Sequence, residues 1–312
     1  MNQAIELSVI VPVTERYDEV EPLYQSYKSG ITATGKRHEF IYVLDGEHPD
    51  VLSTLQKLRE VGEPIRIITL AKWFGEATAL TAAFEKALGN VILTLPAYSQ
   101  VEASEISRFV AALDHYDMVI GRRWPRIDPR FNQAQARVFH WLLKLVTHAS
   151  FQDIGCAVRV FKRRVVDEVS LYGDQHRFLP LLAQRQGFRV LELNVAQSRA
   201  DAAPRIYGPG VYIRRILDLL TTFFLVKFTK KPLRFFGLLG CGAIFLGGIF
   251  TLYVIIERLF FGVPLADRPA LLLGSLLVVL GIQIFAIGLI GEIVIFTHAK
   301  DLKEYTIERI VE

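Results

Sequence analysis

Residues 7–13 read LSVIVPV, an apolar and β-branched run that predicts a buried strand. Runs of the same kind recur along the chain: Phe40–Leu44, Ile65–Leu70, Val91–Leu95 and Met118–Gly121. Segments of helical period separate them: Val20–Ser29, Val51–Val61, Gly75–Ala87 and Ala103–Leu113. This alternation predicts an α/β fold with a mostly parallel sheet flanked by helices. Ligands of such folds bind beyond the carboxyl ends of the strands, so the residues after each strand are the first candidates for a site.

Two stretches near the C-terminus contain no charged residue, Phe236–Ile256 and Pro269–Gly291. Each is as long as a helix that crosses the roughly 30 Å hydrocarbon core of a bilayer. Basic residues flank the pair on its outer sides, among them Lys231, Arg234 and Lys300. Because basic residues favour the cytoplasmic side, the first domain and both termini are predicted to be cytoplasmic, at an inner or plasma membrane. A pair of buried core helices is the alternative interpretation.

The pattern predicts four parts along the chain: a cytoplasmic α/β domain over 1–208, an interfacial amphipathic segment over 209–232, a two-helix membrane hairpin over 233–298 and a cytoplasmic tail over 299–312. The interfacial segment is inferred from RRILDLLTTFFLVKFTKK at 214–231, which mixes apolar and basic residues. An ordinary helix packed on the α/β domain is the alternative. Glycines such as Gly240 and Gly247 permit close helix contacts, within the hairpin or in a homo-oligomer.

Composition excludes several classes of protein. The chain has 36 Lys and Arg and 32 Asp and Glu, which gives a net charge of +4. This charge is too small for a dedicated nucleic-acid binder. The two cysteines, Cys156 and Cys241, exclude a disulfide scaffold and a Cys-rich zinc site. The sequence also lacks a P-loop and the GxGxxG, HExxH and GxSxG motifs. Candidate residues must therefore be sought at the ends of the predicted strands and helices.

Six basic residues lie at or after such ends: Lys72, Arg122, Arg123, Arg159, Arg177 and Arg205. Arginine is suited to bidentate contact with phosphate, so a diphosphate or a lipid phosphate is a plausible ligand. Pairing of each basic residue with one of the acids is the alternative.

Asp45 ends the second strand before Gly46. Its carboxylate either accepts hydrogen bonds from a base or ribose or caps the turn.

Eight strings carry a resemblance to a known family by their order and spacing: VIVPVTE (9–15), FIYVLDG (40–46), AKWFGEATALTAAFEKALGNVILTL (71–95), GRR (121–123), DIGCAVRVFKRR (153–164), HRFLP (176–180), RIYG (205–208) and GLIGEI (288–293). Together they resemble the family 2 glycosyltransferases of GT-A fold. The chain is most similar to the polyprenyl-phosphate (dolichyl-phosphate type) sugar synthases with two C-terminal membrane helices.

The resemblance implies a UDP- or GDP-linked nucleotide sugar as donor, a polyprenyl phosphate as acceptor and transfer with inversion at the cytoplasmic membrane face. It implies nucleotide-sugar contacts at five positions: Pro12, Glu15, Asp45, Lys72 and Tyr98. Asp153 and Arg122 are the implied catalytic residues, Asp153 facing the reacting sugar and Arg122 the phosphates. Three arginines are implied to hold the acceptor phosphate: Arg159, Arg177 and Arg205. The acceptor is already an anion, so the reaction needs no general base.

The resemblance also implies Mg²⁺ or Mn²⁺, which the family holds with an Asp-x-Asp motif after the fourth strand. That position reads Pro96-Ala97-Tyr98 in this chain, and neither end supplies a carboxylate for a hard cation. Three interpretations follow. In the first, arginine and lysine bind the diphosphate in place of the metal, an interpretation that Arg16 and Lys72 favour because they are basic residues near the expected site. In the second, Asp45, Glu102 or Asp153 holds a metal in a shifted arrangement. In the third, the chain is a catalytically inactive membrane partner or scaffold of a glycan assembly system.

Overall fold

The computed structural model describes residues 5–127, 151–169, 173–202, 232–262 and 268–298, with Gln133, Arg137 and Leu217 between them. Arg205, most of the predicted interfacial segment and the predicted tail lie outside the described residues. The chain divides into two compact units. One contains a seven-stranded sheet and the other contains two long apolar helices.

The sheet is built from seven strands: β1 Leu7–Val13, β2 His38–Asp45, β3 Ile65–Leu70, β4 Val91–Thr94, β5 Met118–Arg123, β6 Arg159–Lys162 and β7 Val190–Val195. Their order across the sheet is β3-β2-β1-β4-β6-β5-β7. All adjacent pairs are parallel except the two that involve β6, which runs antiparallel to β4 and β5. The predicted α/β fold with a mostly parallel sheet is confirmed.

Among the described residues of the first unit, six helices connect or flank these strands: α1 Val20–Thr32, α2 Pro49–Glu60, α3 Glu76–Lys86, α4 Ile106–Ala112, α5 Arg163–Glu168 and α6 Leu179–Arg185. Short 3₁₀ turns cover Ala103–Glu105, Gly173–Phe178 and Arg199–Ala202. Every residue of β1 is buried, which explains why its sequence is a continuous apolar run and does not alternate. Helix α1 contributes Leu23, Tyr24, Tyr27 and Ile31 to the core, at helical spacing.

The last two strands were not predicted from the sequence. Strand β6 has only four residues and begins at Arg159. Strand β7 lies at an edge of the sheet and is mostly half-buried, so its apolar signal is weak. Because β6 is antiparallel, its first residue pairs with Thr94 near the carboxyl end of β4. Arg159 therefore starts at the same edge of the sheet at which Asp45 ends β2.

In its described residues, the second unit contains two helices, α7 Pro232–Phe261 and α8 Pro269–His298. The most apolar stretches of the two helices are only 17% and 11% buried, so they do not form the core of a soluble domain. Both helices are long and apolar enough to cross a bilayer. A Cβ atom on Gly240 would lie 2.7 Å from the Gly281 carbonyl oxygen, and one on Gly247 would lie 2.6 Å from that of Gly274. Glycine is what allows the two backbones to approach this closely.

Candidate active site

Asp45 fixes the connection that follows the neighbouring strand β3. Its buried carboxylate accepts the Phe74 N–H at 2.7 Å on one oxygen and the Gly75 N–H at 2.8 Å on the other. Gly75 has φ +96°, a conformation that favours glycine, and precedes the first residue of α3. Asp45 thus satisfies two main-chain donors at the start of that helix. Capping, one of the two roles considered for Asp45, is observed; its contact with a nucleotide stays a prediction.

A cleft of about 330 Å³ opens beside Asp45 at the carboxyl edge of the sheet. Three of the residues predicted to bind the nucleotide sugar, Glu15, Asp45 and Lys72, line it together. His48 and Trp73 are also part of its wall. The Trp73 side chain is about half exposed and leaves the cleft open. An exposed indole face beside polar groups is suited to stacking on a base or a sugar ring.

The other two predicted donor residues lie outside this wall. Pro12 is buried within β1 and pairs with Val43 of β2. Tyr98 lies on the connection that replaces the Asp-x-Asp motif. Tyr27 holds that connection, with its hydroxyl 2.9 Å from the main-chain oxygens of both Pro96 and Tyr98.

Arg16 lies flat on Tyr98. The guanidinium carbon is 3.4 Å from the centroid of the Tyr98 ring, a cation–π contact. The Nη1 of Arg16 also donates to Oδ1 of Asp201 at 3.1 Å. Asp201 is buried and lies on the last 3₁₀ turn of the unit, so three distant segments of the chain meet here. The sequence analysis named Arg16 as a cation near the site but did not select Asp201, because nothing in the local pattern connects the two residues.

A second arginine completes this group. Arg123 is buried and donates through Nε and Nη2 to the two carboxylate oxygens of Asp153, at 2.7 and 2.8 Å. Its Nη1 donates to Asp201 at 3.0 Å. Burial would raise the pKa of Asp153, but the Arg123 guanidinium outweighs it and lowers that pKa below its usual range. Arg16, Arg123, Asp153 and Asp201 are called the arginine cluster below.

Arg122, the predicted catalytic arginine, points away from this cluster because successive strand residues face opposite sides of the sheet. Its guanidinium carbon lies 4.8 Å from the centroid of the Trp124 ring. Asp153, the other predicted catalytic residue, is 2% exposed and bound by Arg123. Catalytic roles for Arg122 and Asp153 stay predictions.

The two described members of the predicted acceptor-phosphate set differ in their surroundings. Arg159 is buried and donates to the main-chain oxygens of four residues: Ile154, Cys156, His176 and Arg177. Burial lowers its pKa to about 10, so Arg159 remains a cation at neutral pH. Its donors hold the turn that presents Arg177, whose side chain is exposed. Of the two side chains, that of Arg177 is accessible to solvent and that of Arg159 is not, and a contact of either with phosphate stays a prediction.

His176 and Glu76 form a further pair that the sequence analysis missed. His176 is buried, and its Nε2 lies 3.2 Å from Oε2 of Glu76, the first residue of α3. Burial would raise the pKa of Glu76, but the charge of His176 outweighs it and lowers the pKa to about 2. The pair ties the Gly173–Phe178 turn to the start of α3.

The residues at this edge do not fit the divalent cation that the resemblance implies. Within the described ranges, no group of three or more His, Cys, Asp or Glu side chains could hold a metal ion. Burial raises the pKa of Tyr98 to about 12, so its phenol is neutral and is a poor ligand for Mg²⁺. The carboxylates of Asp45 and Asp153 are occupied by main-chain N–H groups and by Arg123. Glu102, the third acid considered, lies exposed before a 3₁₀ turn.

Comparisons with known proteins agree with this architecture. The sequence is 28% identical to dodecaprenyl-phosphate galacturonate synthase of Rhizobium johnstonii, over 96% of this chain and 90% of that protein. It is 27% identical to undecaprenyl-phosphate 4-deoxy-4-formamido-L-arabinose transferase of Klebsiella pneumoniae, over 98% of this chain and 94% of that protein.

Solved structures share the fold of the first unit. A mannosyltransferase of Pyrobaculum calidifontis, in complex with GDP-Man and Mn²⁺, superposes with a TM-score of 0.50 at 17% identity, covering 72% of this chain. The match spans 64% of that mannosyltransferase, a little under two thirds. Glucosyl-3-phosphoglycerate synthase of Mycobacterium tuberculosis, in complex with Mn²⁺, UDP-glucose and phosphoglyceric acid, gives a TM-score of 0.52 at 12% identity, covering 70% of this chain and 79% of that one.

The family itself follows from the sequence. The model of the family described as glycosyl transferase family 2 matches residues 8–170, just over half of the chain. That range contains the cleft and all of the arginine cluster except Asp201. The resemblance on which the expectations rested is confirmed, and the chain belongs to glycosyl transferase family 2.

Proposed function

We propose that this protein transfers a sugar from a nucleotide sugar to a polyprenyl phosphate at the cytoplasmic face of a membrane. The observation that carries the proposal is the extent of the sequence similarity. Two relatives whose names state transfer to a dodecaprenyl or undecaprenyl phosphate align with 96% and 98% of the chain, which includes both apolar helices. A shared catalytic unit alone would support glycosyl transfer; the shared hairpin supports a lipid acceptor.

The proposed reaction is a single displacement. An oxygen of the acceptor phosphate attacks the anomeric carbon, the bond from that carbon to the nucleoside diphosphate breaks, and the diphosphate departs with the electron pair. The configuration at the anomeric carbon inverts. Because the nucleophile is already an anion, the protein must mainly align two anions and stabilise the leaving group.

The described geometry supports the proposed sites, except for Arg205, which lies outside the described residues. The cleft beside Asp45, Lys72 and Trp73 accepts the nucleoside part of the donor. Exposed Arg177 contacts the acceptor phosphate, together with Arg205. The basic residues that flank the hairpin favour cytoplasmic placement of both chain ends.

Two observations favour a second candidate, an inactive membrane partner of a glycan assembly system. The motif that holds the metal in this fold is replaced by Pro96-Ala97-Tyr98, and Asp153 is bound by Arg123 and inaccessible. A partner of this kind would retain the fold and the hairpin without turnover.

The test is a transfer assay with the full chain in lipid nanodiscs. Undecaprenyl phosphate is the acceptor, a panel of UDP- and GDP-linked sugars supplies the donor, and mass spectrometry detects the glycolipid. Each donor is tested in MnCl₂, in MgCl₂ and in EDTA. A glycolipid with at least one donor supports the proposal. Absence of glycolipid with every donor in all three conditions would overturn it and leave the inactive partner.

A further inference from the structure

We propose that Arg16, held on Tyr98 by Asp201, takes the place of the metal, so that this protein binds a nucleoside diphosphate without a divalent cation. The proposal rests on the proposed function, because a nucleotide sugar supplies the diphosphate. It concerns how the leaving group is stabilised and makes no assumption about the sugar or the acceptor.

The location of Arg16 supports this role. Arg16 follows Thr14 and Glu15, both of which line the cleft. Its guanidinium lies on Tyr98, the residue that occupies the last position of the missing Asp-x-Asp motif. The positive charge of Arg16 therefore lies against the residue that stands where the family has a metal ligand.

The orientation of Arg16 leaves donors for a ligand. One face of the planar guanidinium rests on the Tyr98 ring, and Nη1 donates to Asp201. The side chain remains 32% exposed. In a stacked guanidinium the N–H groups point outward in its own plane, which is the geometry for bidentate contact with phosphate oxygens.

The charges around Arg16 also favour an anion. Both acids of the arginine cluster are bound by arginines: Asp153 by Arg123, and Asp201 by Arg123 and Arg16. Arg126 adds a further positive charge 4.0 Å from Asp153. The two arginines and two aspartates of the arginine cluster carry no net charge, as two aspartates with a dication would. Because the Tyr98 phenol is neutral, the substituted motif adds no negative charge that would repel a diphosphate.

A purely structural role for Arg16 predicts a different outcome, and binding measurements separate the two. Calorimetry on the full chain in nanodiscs uses UDP and GDP as probes, first in EDTA and then in MnCl₂. We expect one of them to bind in EDTA, with Kd changed less than about threefold by MnCl₂. Arg16→Gln is expected to raise Kd about tenfold or more, because charge-assisted hydrogen bonds to phosphate are lost. The matched control is Arg108→Gln, which removes an exposed arginine of α4 that pairs with Glu105. This variant is expected to leave Kd unchanged.

Two further variants keep the test decisive should Arg16→Gln fold poorly. Arg16→Lys retains the charge without the planar donors and is expected to fall between the wild type and Arg16→Gln. Tyr98→Leu removes the ring beneath the guanidinium without changing any charge and is expected to raise Kd about threefold. Thermal unfolding of each variant reports its folding independently of binding.

Three results would overturn the proposal: binding of UDP or GDP only in MnCl₂, no binding of either in both conditions, or an unchanged Kd in folded Arg16→Gln. The transfer assay separates this failure from failure of the proposed function. Glycolipid that forms only with a divalent cation retains the function and rejects the role of Arg16. Nucleotide binding in EDTA without any glycolipid retains the role of Arg16 and rejects the transferase.

Discussion

Arg123 and Asp153 lie thirty positions apart and form a two-pronged ion pair that is almost completely buried, with N–O distances of 2.7 and 2.8 Å. The Arg123 main-chain N–H also donates to the same carboxylate, at 3.1 Å. The remaining guanidinium nitrogen, Nη1, donates to Asp201. One side chain thus joins the end of β5 to the segment before β6 and to the last 3₁₀ turn.

Replacing Arg123 tests how much of the unit depends on this connection. Arg123→Gln leaves the buried Asp153 without its bidentate guanidinium partner, whereas Asp201 keeps Arg16. Loss of one partner of a buried ion pair typically costs about 3–5 kcal/mol of unfolding free energy. Arg108→Gln removes an exposed pair and should cost less than about 1 kcal/mol. Denaturant unfolding of the full chain, followed by tryptophan fluorescence, measures both. Equal stabilities for the two variants would contradict the structural role of Arg123.

The pair of His176 and Glu76 predicts a dependence of stability on pH. The folded pKa of Glu76, about 2, lies below its ordinary value of 4.5. The unfolded chain therefore binds the proton more tightly, and the stabilisation is present above about pH 4.5 and lost as the pH falls towards 2. The melting temperature of Glu76→Gln should lie below that of the wild type near pH 7, and the difference should shrink near pH 3. In a His176→Gln background the Glu76 substitution should have a smaller effect near pH 7, with only the charges of Arg177 and Arg159 left to favour the carboxylate.

Glycine packing in the hairpin can be tested with two neighbouring positions. Gly240→Ala places a methyl group 2.7 Å from the Gly281 carbonyl oxygen and must separate the helices, at a cost of about 1–3 kcal/mol. Gly242→Ala meets nothing within 4 Å among the described residues and is the control. Unfolding in SDS–detergent mixtures compares them. Equal loss of stability in both variants would mean that the helices do not pack through Gly240.

Arg177 tests the proposed acceptor site. Arg177→Gln should raise the KM for undecaprenyl phosphate about tenfold while kcat changes little, because a contact made equally in the ground and transition states is removed. Arg185→Gln changes another exposed arginine, on α6, and should leave both parameters unchanged. A fall in kcat at unchanged KM would assign Arg177 to the transferring centre and not to acceptor binding.

Local sequence patterns were sufficient for the main elements of this protein. Continuous apolar runs predicted β1 to β5, since strands covered on both faces leave no room for polar side chains. Two uncharged stretches predicted α7 and α8, because hydrocarbon excludes charge over a whole helix. The positions of Asp45 and Tyr98 after strands also followed from the order of the elements, and both lie on the predicted edge of the sheet.

Only the tertiary structure decided which side chains meet at that edge. Strand alternation turns Arg123, and not Arg122, towards Asp153, and a one-residue difference of this kind cannot be read from composition. Arg16, Tyr98 and Asp201 come from three segments that share no local pattern. Strand order and the antiparallel insertion of β6 bring such segments together, and these depend on long-range packing. Sequence alone therefore determined the fold, the family and the helical hairpin, while the contacts of each charged residue depended on the folded chain.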